Sequence, residues 1–347
     1  MWTNAHFPEQ DCPMTSFSIL DLCPVVEGGT VSEALDATRQ MARQAEASGF
    51  TRFWLAEHHG MTGIASAATS LVISEAARAT ETLRVGSGGI MLPNHSPLVI
   101  AEQFGTLEAL YPGRIDLGLG RAPGTDMNTA RALRRNLEAG AQTFPNDIVE
   151  LQKLMDDPEE GQRLIANPGA GAKVPLYILG SSTYSAHLAA ALGLPYAFAS
   201  HFAPDMLFDA LHIYRSNFKP SAQCGKPYVI VGVMGAMADT DEEADYHFTS
   251  ALQSFVALRR NARGKTPRPV KSMDGLWTEM EKFSIEHTFQ FAVVGGPEKA
   301  KAKMQGFIAD TRADEVIISV PVHSVEARLK SVALFGELRE SLARAAA

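Results

Sequence analysis

The chain has 347 residues, of which 46% are hydrophobic and 20% are charged, and its formal net charge is −8. This composition is typical of a soluble globular protein, and the acidic balance argues against nucleic-acid binding as its main task. The three cysteines (Cys12, Cys23 and Cys224) fit neither a disulfide framework nor a zinc motif, which favours a reducing, cytoplasmic location. No apolar run reaches the ~18–20 residues of a membrane span.

Buried strands alternate with helices along most of the chain. Strands are predicted at 17–22, 53–56, 83–91, 114–119, 175–179, 196–199, 228–234 and 315–320. Their runs of apolar residues are typical of parallel strands covered on both faces. Eight such units close most naturally into a (βα)8 TIM barrel, with an irregular insertion at 264–287 between strands seven and eight; an open doubly wound sheet is the alternative. We expect a flexible N-terminal leader over 1–16 and one domain over 17–347.

Capping residues predict several helix boundaries. Thr30 and Thr240 each stand three residues before a glutamate, which is a capping-box pattern. Gly193 is expected to end the helix before it. The segment 125–158 has a helical pattern that we expect to be broken at Pro145.

The second predicted strand ends in Glu57-His58-His59, at the edge where parallel strands form the mouth of a barrel. An imidazole at this edge can transfer protons near neutral pH, so His58 is a candidate catalytic residue; the alternative is a hydrogen-bonded core histidine. His201 ends the sixth strand and is expected to face the same mouth. No metal is predicted, because neighbouring strand residues point to opposite faces and HExxH spacing is absent.

Glycines crowd the ends of the third and fourth strands. Gly88-Gly89 lies inside the third strand, which indicates either a tight bend or the close approach of a ring. Gly118 and Gly120 resemble the start of a dinucleotide fingerprint, but the third glycine is misplaced and no acid follows at the required distance, so a Rossmann site is rejected. Arg121 is either a cation directed at the barrel mouth or half of a surface salt bridge.

The fifth strand leads into Gly180-Ser181-Ser182-Thr183, and a helix follows from Tyr184. Backbone N–H groups at a helix N-terminus, together with hydroxyls, can bind a phosphate; a plain N-cap would explain the same residues equally well. Neither a GxSxG elbow nor a P-loop is present, so hydrolase and kinase chemistry are not predicted.

These residues lie in longer motifs that together resemble the bacterial luciferase-like flavin monooxygenase family, most nearly its uncharacterised luciferase-like oxidoreductase subgroup. The motifs are WLAEHH (54–59), VGSGGIMLPNHSP (85–97), YPGRIDLGLGRAPG (111–124), LGSSTYSAHLAAALGLPYAFASHF (179–202) and VVGGPEKAKAKM (293–304). The resemblance covers nearly everything from Phe17 to the last helix. It implies a (βα)8 barrel that binds FMN at its C-terminal mouth.

The resemblance also implies residue roles. His58 would transfer protons beside the flavin; His201, the second predicted catalytic residue, is expected from its place at the mouth to line the substrate side. Gly88-Gly89 would form a non-proline cis peptide under the isoalloxazine, and Arg121 would hold the phosphate. The other cofactor-binding residues expected around this site are Glu57, Ser87, Gly120, Gly180, Ser181, Ser182, Thr183 and Tyr184. A cysteine near the flavin in some luciferases corresponds to Gly120 here, which argues against light emission but not against flavin binding.

The sequence therefore predicts an FMN-dependent monooxygenase that uses reduced flavin and dioxygen to oxygenate a small, partly apolar substrate, such as an aldehyde, ketone or sulfonate. A separate flavin reductase would supply reduced FMN, and a homodimer is expected through the helices at 67–79 and 98–110. Two alternatives stay open, namely deazaflavin-dependent hydride transfer and a non-catalytic flavin-binding protein. Neither a nucleic acid nor a membrane is expected as a partner.

Overall fold

The computed structural model describes residues 15–122, 127–133 and 137–346. The strands are β1 (Ser16–Asp21), β2 (Arg52–Leu55), β3 (Arg84–Met91), β4 (Ile115–Gly120), β5 (Leu176–Gly180), β6 (Tyr196–Phe198), β7 (Val229–Met237), β8 (Val293–Gly295) and β9 (Glu315–Ser319). The helices are α1 (Val31–Ala47), α2 (Thr69–Arg78), α3 (Pro97–Leu110), α4 (Met127–Leu133), α5 (Leu137–Met155), α6 (Thr183–Leu192), α7 (Leu207–Asn217), α8 (Asp241–Arg259), α9 (Glu279–Thr288), α10 (Pro297–Thr311) and α11 (Val325–Ala346). A 3-10 turn (Leu92–Asn94) links β3 to α3. Within the described ranges, no helix combines the length and the apolar character needed to cross a membrane.

Eight parallel strands close into a barrel. Strands β1 to β7 pair each with the next, and β9 pairs with both β7 and β1, which completes the ring. The predicted (βα)8 architecture is confirmed. Side chains that include Leu20, Trp54, Tyr177 and Ile230 fill the interior, and a larger apolar layer packs the strands against the helices. Because all eight strands run in the same direction, their carboxyl ends share one mouth.

Strand β8 lies outside the ring. The predicted eighth strand corresponds to β9, whereas β8 pairs with the far end of β7, beside Gly235, Ala236 and Met237. Val293–Gly295 is a short run directly before the Gly296-Pro297 start of α10, and it is not among the predicted strands. The insertion at 264–287, expected to be irregular, contains most of α9. A complete capping box between Thr278 and Glu281 begins that helix.

The helix-capping predictions hold at α1 and, in part, at α8. Thr30 forms the full capping box with Glu33. Thr240 accepts a hydrogen bond from the Glu243 N–H at 3.1 Å, which is half of the predicted box. Gly193 follows α6 at a φ of +64°, in the left-handed region that favours glycine.

Two predictions concern segments that the structure describes in part. The first fourteen residues of the leader predicted over 1–16 lie outside the described residues, and Ser16 already belongs to β1, where it pairs with Glu315. The prediction that Pro145 breaks the helix over 125–158 is wrong, because Pro145 lies inside α5. Proline removes one helical hydrogen bond, and α5 continues past that loss.

The N-terminal end of the barrel holds a buried ion network. The Arg52 guanidinium lies 2.7 Å from Asp116 and 2.8 Å from Glu315, and all three side chains are buried. Arg84 pairs with the second oxygen of Asp116 at 2.5 Å, so two guanidinium groups balance two carboxylates. Trp54 donates its indole N–H to Asp116 at 3.1 Å, which connects the network to the strand that leads into the mouth.

Candidate active site at the barrel mouth

His58 and His201 follow β2 and β6 and lie in the barrel mouth. Their Nδ1 atoms are buried and have no hydrogen-bond partner among the described residues. Burial lowers the pKa of each imidazole to about 4, and the charge of His58 would lower the pKa of His201 further, so the two rings lie within electrostatic reach of each other. Both rings are therefore neutral at pH 7. An unpartnered buried nitrogen is not what a hydrogen-bonded core histidine would present.

The His201 ring occupies space that Gly232, on β7, leaves open. A Cβ atom at position 232 would lie only 2.2 Å from the His201 Nδ1. A larger residue would displace the imidazole, because a packed interior has no spare volume. The Phe202 ring lies edge-to-face with His201, with centroids 4.8 Å apart, and is half exposed. Gly232 is absent from the predicted site residues, since a lone glycine in an apolar strand gives no functional signal.

Glu57, predicted among the cofactor-binding residues, has its carboxylate inside the protein. It accepts the Met91 N–H at 3.0 Å and contacts the Nε2 atoms of His59 and His95 at 2.8 and 2.9 Å. Burial opposes ionisation, yet His95 and His59 hold the pKa of Glu57 below its ordinary value. The Glu57 N–H donates to the Gly89 carbonyl at 3.2 Å. Glu57 therefore fixes both the end of β3 and the turn after it.

The same carboxylate and two imidazoles have the composition of a metal site. One ligand atom from each of Glu57, His59 and His95 lies within 4.8 Å of the others. Two imidazoles and a carboxylate can bind zinc. The hydrogen bonds among these atoms account for the cluster without an ion, and we assign no metal to it.

Replacing Glu57 by alanine should lower the free energy of unfolding by at least about 2 kcal/mol, because the Met91 N–H and two imidazoles would lose their acceptor. Urea denaturation measures the loss. Glu57→Gln keeps one acceptor oxygen and should lose less. Glu75→Ala, which removes an exposed partner of Arg39, is the matched control. Equal stabilities of Glu57→Ala and Glu75→Ala would contradict the role given to this carboxylate.

Gly88-Gly89 forms a non-proline cis peptide bond. A Cβ atom on Gly88 would meet Leu20 at 2.8 Å and Trp54 at 3.0 Å, and one on Gly89 would lie 2.7 Å from the Gly118 carbonyl oxygen. Neighbouring protein atoms thus require glycine at both positions. The close approach of a ring is not needed to explain them, although the peptide lies in the half of β3 nearer the mouth.

Three further predicted cofactor-binding residues are packed against protein atoms. Ser87 is buried and donates its hydroxyl to a β4 carbonyl at 2.9 Å. Cβ atoms on Gly120 and Gly180 would lie 2.8 Å from the Met91 sulfur and 1.9 Å from the Ser185 hydroxyl, respectively. The Ser87 hydroxyl and the space beside Gly120 and Gly180 are therefore taken up by protein contacts.

A cation and a helix N-terminus lie together at the ends of β4 and β5. Ser182 is the N-cap of α6, but its hydroxyl makes no capping hydrogen bond, and Ser181 and Thr183 are partly exposed. The guanidinium carbon of Arg121 lies 4.0 Å from the centre of the Tyr184 ring, in the first turn of α6. N–H groups without a side-chain cap, beside a guanidinium, are typical of a phosphate-binding site.

Arg263 lies near His58 and is not among the predicted site residues. It lies between α8 and α9, and its positive charge contributes to the low pKa of His58. An arginine in a polar insertion has the same appearance in a sequence as any surface arginine, so no pattern distinguishes it.

Comparison with known proteins agrees with this geometry. The family model of luciferase-like monooxygenases matches residues 15–315. A luciferase-like monooxygenase of Escherichia coli K12 is 51% identical over 94% of this chain and 98% of its own. The N-acetyl-S-alkylcysteine monooxygenase of Bacillus subtilis is 30% identical over 91% of this chain and 96% of its own.

A solved structure gives the same result for the fold. The crystal structure of apo-MsnO8 is 31% identical and superposes with a TM-score of 0.84 over 94% of this chain and 98% of that one. Both the sequence and the barrel therefore match across nearly the whole length of the relatives. The chain belongs to the luciferase-like monooxygenase family.

Proposed function

We propose that this protein is an FMN-dependent monooxygenase that uses reduced flavin and dioxygen to oxygenate a small, partly apolar substrate. The observation that carries the proposal is the pair of partly buried, neutral imidazoles at His58 and His201: the buried His58 Nδ1 has no partner within the described residues, and the His201 Nδ1 packs against Gly232. Both imidazoles follow strands that end at the same barrel mouth as β4, which leads into Arg121, and β5, which leads into the N-terminus of α6. A buried polar atom without a partner is what a ligand-binding site leaves open for its ligand.

The residues of the mouth fit FMN. Arg121 and the first turn of α6 would hold the phosphate, and the Gly88-Gly89 peptide, supported by Trp54, would lie under the ring system. When bound, reduced FMN would supply the electrons that activate dioxygen. We add thioethers to the expected aldehyde, ketone and sulfonate substrates, because the Bacillus subtilis relative is named for N-acetyl-S-alkylcysteine.

The protein's own residues would orient the substrate and handle its proton. The neutral His58 imidazole offers its Nδ1 to a substrate hydrogen bond and would receive or return a proton there. His201, held against Gly232, would line the substrate side. The half-exposed Phe202 and Met206 near this edge would cover the mouth and help to exclude water.

An anaerobic titration tests the proposal against its two alternatives. Reduced FMN and a reduced deazaflavin are each added to the protein, and dioxygen and candidate substrates follow. Stoichiometric binding of reduced FMN with oxygenated product supports the monooxygenase. Binding of the deazaflavin with substrate reduction or oxidation in the absence of dioxygen would replace it with a hydride-transfer enzyme. Flavin binding without turnover across the panel would leave a flavin-binding protein.

Arg121→Gln should weaken FMN binding by about ten- to a hundredfold, because a charged hydrogen bond to phosphate contributes about 1.5–3 kcal/mol. Riboflavin lacks the phosphate, so its affinity should not change. Fluorescence titration of both ligands separates the two effects. Arg39→Gln removes a guanidinium that pairs with surface carboxylates and serves as the control. An equal loss of riboflavin and FMN affinity would contradict a phosphate site at Arg121.

We further propose that a separate reductase supplies the reduced flavin and that the protein is a homodimer. Helices α2 and α3 carry exposed apolar side chains, namely Leu71, Val99 and Leu110. Leu71→Glu combined with Leu110→Glu should shift the protein from dimer to monomer in light scattering, because charges would be buried in the interface. Leu258→Glu, on α8, is the control. A monomeric wild type, or a dimeric double variant, would contradict this interface.

A further inference from the structure

The segment between α8 and α9 crosses part of the barrel mouth and is attached there. Thr266 forms a parallel bridge with Val26 in the loop after β1, with backbone hydrogen bonds of 2.8 and 3.0 Å. Gly264 contacts the loop after β2 so closely that a Cβ on Gly63 would lie 2.1 Å from the Gly264 carbonyl oxygen. Arg263 is therefore held beside the loop after β2, which contains His58.

Two of the cations near Arg263, Arg260 and Lys265, have partners, and Arg263 does not. Arg260 pairs with Glu281 at 2.7 Å. Lys265 donates to the Gly29 carbonyl at 2.7 Å. Among residues 15–122, 127–133 and 137–346, the exposed Arg263 guanidinium makes neither an ion pair nor a hydrogen bond. A guanidinium has five N–H donors in a planar fork that matches the geometry of a carboxylate.

The charge of Arg263 reaches into the site. It lowers the pKa of His58 further, after the larger effect of burial. Because His58 is itself neutral at pH 7, and the Glu57 carboxylate is engaged by its own donors, this guanidinium is a positive charge without a counter-ion near His58.

We propose that Arg263 binds a carboxylate of the substrate and thereby directs the atom to be oxygenated toward His58 and His201. The inference rests on the proposed monooxygenase function and adds to it the substrate class, a small carboxylic acid with an apolar, oxidisable part. Arg263 thus determines specificity: it selects an acid over the corresponding neutral compound, because only the acid forms a charged, bidentate hydrogen-bonded pair with it.

Equilibrium binding to the FMN-loaded protein tests this assignment. The probes are two matched pairs, N-acetyl-S-benzylcysteine with its methyl ester and octanoate with octanamide, each followed by calorimetry. We expect each acid to bind at least about tenfold more tightly than its neutral partner, and Arg263→Gln to abolish this preference. Arg263→Lys should keep part of it. Arg268→Gln, which removes a cation from the same segment, should leave it unchanged.

Three results would overturn the inference: no preference for the acids in the wild type, a preference that survives in Arg263→Gln, or one that Arg268→Gln also removes. Because calorimetry measures binding and not turnover, the outcome does not depend on oxygenase activity. Selective binding of the acids by a protein that fails to oxygenate any of them would count against the proposed function alone. Normal oxygenation of neutral substrates without acid selectivity would count against Arg263 alone.

Discussion

Arg52→Met is expected to lower the free energy of unfolding by about 3–5 kcal/mol, because it removes one partner from a buried ion network. Arg52 is the guanidinium that joins Asp116 to Glu315 across the barrel, at 2.7 and 2.8 Å. Burial opposes ionisation of Asp116, but Arg84 and Arg52 together hold its pKa below the ordinary value. After the substitution, Arg84 still pairs with Asp116. Glu315 keeps the Tyr228 hydroxyl, at 2.9 Å, but has lost the guanidinium that neutralised it.

Urea or thermal denaturation measures this loss of stability, and a substitution on the surface serves as the control. Arg39→Met removes a partly exposed guanidinium that pairs with Glu75, and such pairs contribute about 1 kcal/mol or less. The combination of Arg52→Met with Glu315→Leu should recover part of the stability, because no unpaired carboxylate would then be left buried. A single variant Arg52→Met as stable as Arg39→Met would contradict the account of this network.

The barrel could be predicted because its signals are local. Each ring strand is an apolar run between turn residues, and residues such as Thr30 and Gly193 mark helix ends by chemistry that acts within one turn. The errors arise where tertiary contacts decide the outcome. Strand β8 exists because β7 extends beyond the ring, and α5 continues through Pro145 because its packing compensates for one lost hydrogen bond.

The candidate site could be predicted as far as the topology determines it. Parallel strands place their carboxyl ends at one edge, so His58 and His201 could be assigned to one mouth from their positions alone. The partners of these residues could not be predicted. His95 meets Glu57 only because the turn after β3 folds back, and Arg263 approaches His58 only because its segment is attached to two other loops. Such contacts depend on loop conformations that sequence spacing does not encode.

His58→Ala should lower kcat/KM for oxygenation by about 100-fold or more, which is the usual contribution of a positioned proton-transfer group. The affinity for reduced FMN should change little, because Arg121 and the first turn of α6 would hold the phosphate. Steady-state kinetics with chemically reduced FMN, combined with flavin titration, measures both quantities. His247→Ala, which removes a partly exposed histidine on α8, is the control. Unchanged turnover in His58→Ala would rule out the proposed role.

The pH dependence provides an independent check on His58. Its pKa in the folded protein is about 4, below the ordinary value of 6.5, because burial disfavours the charged imidazole. Between these values the unfolded chain binds more protons than the folded one, so the contribution of His58 to stability is complete above 6.5 and is lost as the pH falls toward 4. His58→Asn should make this decline shallower. In the wild type, kcat/KM should show no inflection at the ordinary histidine pKa, because the imidazole stays neutral there. An inflection at that pH would mean that His58 is more hydrated than its buried position allows.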